Sequence, residues 1–188
     1  MSCDCNAGFV TGMLTWPRLA EYLSAKIVLY DKREKIVDGL YLHNAAQHEG
    51  QAPPSAFGDG QPLMNELDDI MDKIMTQVVE GQRDSACMEL YRRFLESIEY
   101  VVLAHDEYRI FDQSLPFMVK HDLEKLMEFF NCDGEGLPME ELENLKYDID
   151  SILDFCGWDS KALAEHYRGF KQKEDELGSF NSRGGLGM

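Results

Sequence analysis

From residue 63 onward the apolar residues recur every three or four positions, the spacing at which an α-helix brings side chains onto one face. Leu63, Leu67, Ile70, Met71, Ile74 and Val78 form one such stripe, and Gly81 follows it as a stop signal. Tyr91, Phe94, Ile98, Val101 and Val102 form a second, with Asp84 ahead of it as a cap. Ser114 and Pro116 open a third, which carries Val119, Leu123, Leu126, Met127 and Phe130 inward. Leu142, Leu145, Ile149, Ile152, Leu153 and Cys156 line a fourth, ended by Gly157, and Asp159 opens a last helix through Glu176. No internal repeat is evident.

The part before this series is less regular. Thr15 and Pro17 read as the cap and first turn of a helix whose apolar face is Leu19, Leu23, Ile27 and Tyr30. Residues 26–42 fit either a continued helix or a hairpin, because β-branched residues flank a charged middle; helix is the preferred reading. Residues 44–62 hold three prolines and three glycines and read as a loop. The expectation is therefore an all-α, compact bundle of about six helices with a Pro/Gly-rich loop at 44–62 and a flexible C-terminal tail. Residues 1–14 are expected to be loosely ordered, 15–177 to form a single helical domain, and 178–188 to be a disordered tail.

Charge narrows the function classes. The chain carries 35 acids against 18 lysines and arginines, a net charge of −17. Such a potential repels nucleic acid and anionic lipid, so neither is an expected direct partner. Five cysteines, an odd number without a framework spacing, point to reduced thiols in a cytoplasmic protein. No apolar run reaches the roughly 20 residues that span a bilayer, and no basic region precedes Arg18 as a secretory signal would require.

Three constellations bear on chemistry. Over residues 119–153 the chain resembles an EF-hand: Asn131, Asp133 and Glu135 alternate oxygens ahead of Gly136, after an apolar helix. The resemblance implies calcium ligands at Asn131, Asp133, Glu135, the Leu137 carbonyl and a late acid, Glu141. The loop departs from the family where position 12 is Leu142, Glu141 falling one residue early, and where position 8 is Pro138. The residues read more simply as a turn, with Asn131 and Gly134 ending one helix in left-handed conformations and Pro138 starting the next. His105, His121, Asp122 and Asp150 resemble the ligand set of HD phosphohydrolases, which would imply a metal-dependent hydrolase. His105 continues an apolar stripe, however, and His121 lies off one, so they are not expected to converge. Cys3, Cys5, His43 and His48 have soft-ligand character, but the C-x-C pair is tighter than zinc sites use. No cofactor and no enzymatic activity are expected from this sequence.

The acids are unevenly placed. Residues 122–159 carry 12 acids against only Lys125 and Lys146. On the helix after Pro138, Glu140, Glu143, Tyr147, Asp150 and Asp154 fall opposite the apolar face, spaced three, four, three and four. Like charges at these spacings repel by a few tenths of about a kcal/mol each, so folding alone does not call for them. The function expected is that of an acidic inhibitor binding a basic protein partner, such as a nuclease or other nucleic-acid-binding protein, with those five residues as the contact. Immunity proteins, antitoxins and DNA mimics act in this way.

Overall fold

A computed structural model describes residues 15–41, 56–57, 62–103 and 115–183. Those residues form helices and turns, with no strand among them. Helix α1 covers Trp16–Lys26 and passes through a π turn, Ile27–Asp31, into the short α2, Arg33–Ile36. Then follow α3 (Pro62–Gln77), a 3-10 turn at Glu80–Gln82, α4 (Arg83–Leu103), α5 (Leu115–Asn131), a 3-10 turn at Cys132–Gly134, α6 (Met139–Cys156) and α7 (Ser160–Arg183). The all-α expectation is met. Residues 26–36 are helical but broken, 37–41 are turns and bends, and neither reading of that stretch anticipated the π turn. The loop at 44–62 lies outside the described residues apart from Ala56, Phe57 and Pro62, and α7 remains helical beyond position 178, where a tail was expected.

Helix α4 organises the core. Its buried residues run in two adjoining stripes, Ala86, Leu90, Phe94, Ser97 and Val101 beside Cys87, Tyr91, Leu95, Ile98 and Val102. A helix apolar on so wide an arc must be covered on more than one side. Helices α1, α3 and α6 do this, while α5 pairs with α6 across their short connecting turn. Tyr91 meets the Phe130 ring of α5 edge-on at 5.3 Å, so the two halves share one apolar interior. Burial pushes the Cys87 thiol up to about 11, which keeps it a protonated, inert core side chain.

The face of α1 differs from expectation. Ala20, Ser24 and Val28 are buried, whereas Leu23 is partly open and Tyr30 is 79% exposed. Small side chains at 20 and 24 let the α1 backbone lie close on α4, which a count of large apolar residues misses. Ser24 satisfies its hydroxyl within its own helix, donating to the Glu21 carbonyl at 3.0 Å. The π turn then rotates Tyr30 outward, and Lys26 reaches Asp31 five residues on at 2.8 Å. Thr15 holds the cap position through its carbonyl alone, its side chain making no cap bond.

Four residues are too few for α2 to stand as an isolated helix. Two anchors hold it. Lys32 and Lys35 both reach Glu66 on α3. Beyond its end, Tyr41 adopts a left-handed φ of 55°, and its hydroxyl donates to Asp122 of α5 at 3.0 Å. The same Asp122 oxygen accepts the Ala56 N–H at 2.9 Å, and the neighbouring Phe57 is buried edge-on against Phe94. Burial first, and then the adjacent carboxylate, raise the Tyr41 phenol well above its ordinary range, so it stays a donor.

Candidate protein-interaction surface

The turn between α5 and α6 is built as a helix stop. The Gly136 and Leu137 N–H groups donate back to the Asn131 and Phe130 carbonyls, both at 2.9 Å, closing off the end of α5. Cys132, Asp133 and Gly134 take left-handed φ values of 48°, 55° and 90°. Asn131 itself stays right-handed at φ −77°, which corrects the expectation for that residue. Its side-chain amide donates to the Leu137 carbonyl at 3.0 Å. That contact occupies the oxygen an EF-hand would turn toward calcium. A Cβ on Gly136 would fall 2.3 Å from the Phe130 carbonyl, so the close backbone approach requires glycine here. Pro138 stands at the N-cap of α6, and Glu140 and Glu141 occupy its first turn, where the helix dipole favours acids.

The described members of the HD-type set are not brought together as metal ligands. His121 is exposed, while Asp122, next to it, is fully buried and committed to Tyr41 and Ala56. Asp150 lies on α6 beside Lys146, and His105 is outside the described residues, as are Cys3, Cys5, His43 and His48. Among the described residues no group of three or more His, Cys, Asp or Glu is placed to hold a metal ion.

The acidic stripe on α6 divides in two. Glu140 and Glu143 are exposed, with no ion pair among the described residues, and Tyr147 beside them is 69% exposed. Asp150 is turned inward: one oxygen bonds Lys146, and the other is buried without a hydrogen-bond partner. Burial, then the Asp150 charge, raise the Tyr91 phenol above its ordinary range. Asp154 is bridged to Lys120 of α5. The free carboxylates of this stripe are thus at its N-terminal end. Sequence reasoning missed two others, Asp68 of α3 and Asp84 of α4, which stand with Asp133 and Glu135 around one cleft. Only the packing of α3 and α4 against the turn brings them together.

The PATROL1-like family, described as TPR repeats, matches residues 13–184. The chain belongs to this family. The match spans nearly the whole chain, so it replaces the local EF-hand resemblance at 119–153 as the account of its ancestry. A protein unc-13 homolog from Arabidopsis thaliana is 26% identical over 161 residues, covering 86% of this chain and 14% of that protein. The chain therefore spans about one-seventh of the length of the curated relative it matches. No solved structure matches it. Repeats of the TPR type are protein-interaction modules, in which stacked helix pairs present extended surfaces to protein partners. In this PATROL1-like chain, α5, the short turn and α6 form a helical hairpin. No described helix is long and apolar enough to cross a membrane.

Proposed function

We propose that the chain is a helical docking module whose acidic surface receives a basic surface of a protein partner. The observation that carries this is the exposed N-terminal part of α6, where Glu140 and Glu143 precede an open Tyr147 and make no ion pair among the described residues. Uncompensated carboxylates around an amphipathic ring favour a partner that brings lysine or arginine, and such a field also speeds encounter. Membership in a helical-repeat family supports docking over catalysis. Occupying a partner's basic surface so as to block it, in the manner of an immunity protein, antitoxin or nucleic-acid mimic, is a narrower form of the same proposal, and charge is its support. The free thiols of Cys87, Cys132 and Cys156 are in keeping with a cytoplasmic setting.

The test is affinity capture by the full chain from its native cells at low salt, with stepwise salt elution and identification of what leaves. Proteins with basic surfaces should elute as salt rises through the physiological range, because the Debye length there is only about 8 Å. Captured proteins that lack basic surfaces, or that stay bound whatever the salt, would sink the proposal.

A further inference from the structure

The outer face of α3, the start of α4 and the α5–α6 turn enclose a cleft of about 540 Å³. Its floor is apolar and deformable. Met71 and Met75 come from α3 and Phe129 from α5; Met71 and Phe129 pack against the core, and Met75 is 42% exposed. Methionine is unbranched and polarisable, so a floor of this kind reshapes itself around an apolar side chain pressed onto it. The rim has one sign of charge. Asp68, Asp84, Glu128, Asp133 and Glu135 line it, and no lysine or arginine among the described residues does. Glu128 is paired with Lys125. The other four carboxylates are exposed and have no ion pair among the described residues.

Floor and rim together specify an occupant. An apolar floor calls for a ligand that leaves water, and a helix laying one face into a groove does this with side chains three and four apart. The carboxylate rim then selects the flanks of that helix. An acidic helix would be repelled there, and a neutral one would leave the acids partly desolvated and unpaired. A nucleic acid is rejected by the same charges. We infer that this cleft docks a basic amphipathic helix of a protein partner, with its apolar face on Met71, Met75 and Phe129 and its lysines or arginines against Asp68, Asp84, Asp133 and Glu135. The inference rests on the docking reading above and adds to it a second contact site and a partner class. The turn has a positive role in it. The left-handed residues that end α5 also set Asp133 opposite α3 and α4, so the segment resembling a calcium loop serves here to hold a carboxylate at the rim.

The probes are three labelled synthetic peptides of about 18 residues, five helical turns. One is a leucine–lysine amphipathic helix, one has the same composition scrambled so that no apolar face forms, and one replaces lysine with glutamate. Fluorescence anisotropy with the full chain should show saturable binding of the first, at least about tenfold weaker binding of the second, and none of the third. The triple variant Asp68→Asn, Asp84→Asn, Asp133→Asn should weaken the first peptide about tenfold or more, and Met75→Gln about fivefold, with helix content unchanged by circular dichroism. The double variant Glu34→Gln, Glu165→Gln, at exposed acids outside the cleft lining, should change it by no more than about twofold. Equal binding of the scrambled peptide overturns the inference, since attraction to bulk negative charge needs no apolar face. So does an equal loss in the Glu34 and Glu165 variant, or no binding by any peptide. Those results would leave the docking reading standing if a basic partner captured from cells still binds the α6 stripe.

Discussion

Asp122→Ala is expected to lower the unfolding free energy by about 3–4 kcal/mol, an effect set by what the carboxylate leaves behind. Asp122 is fully buried, and one of its oxygens accepts from both the Tyr41 hydroxyl and the Ala56 N–H. Removing it strands two donors, each costing about 1–3 kcal/mol when left unpaired away from water. It also releases Tyr41 from a left-handed conformation that costs a residue with a side chain roughly 1–2 kcal/mol, which offsets part of the loss. Asp122→Asn keeps an acceptor of the same shape and should cost less than half as much. Urea unfolding followed by circular dichroism gives the answer: the midpoint should fall in that order with the slope unchanged. An alanine variant as stable as the parent would mean the Tyr41–Asp122–Ala56 junction contributes little.

Phe94→Ala should be at least as damaging, at about 3–5 kcal/mol. Phe94 is fully buried on α4, and its ring meets Phe57 edge-on at 6.2 Å. The deletion leaves a cavity at the helix that most of the bundle packs on, and it removes the partner that holds the 56–57 segment inward. Against a total stability of about 5–15 kcal/mol for a domain, such a loss brings the fold close to unfolding at physiological temperature. Phe94→Leu, which keeps most of the volume, should cost under about 1.5 kcal/mol. Thermal melts of the two variants separate the cavity from the ring contact. A leucine variant as damaged as the alanine one would show that the edge-on aromatic pair, rather than filled volume, carries the stability.

The sequence was most legible where burial is local. The stripes of α3, α4, α5 and α6 follow from apolar spacing alone, and Leu67, Tyr91, Phe94, Leu123 and Leu142 are buried as their positions imply. It was least legible where small or charged residues meet distant ones. Ala20 and Ser24 carry almost no hydrophobic signal, yet they are what lets α1 approach α4. Asp122 looked like half of a His-Asp metal pair, because its partners Tyr41 and Ala56 lie 81 and 66 residues away. All five residues of the expected stripe lie on α6, but Asp154 is bridged to a lysine of another helix, and Asp150 pairs with Lys146 while its other oxygen is buried. A helix projection sees neither. Asp84 was read only as a helix cap and Asp68 carried no signal of its own; the packing of α3 and α4 against the turn is what sets them beside Asp133.

The docking proposal holds that long-range attraction brings a basic partner to this acidic surface. Its most direct measurement is the association rate of a purified partner captured from cells, as a function of salt, for the parent chain and for Glu140→Lys, Glu143→Lys. Both residues are exposed and unpaired among the described residues, so the reversal should leave the helices intact, with circular dichroism as the check. The parent's association rate should fall steeply as salt rises, and the variant should associate at least about tenfold more slowly at low salt with a flattened dependence. An association rate indifferent to both salt and charge reversal would contradict it.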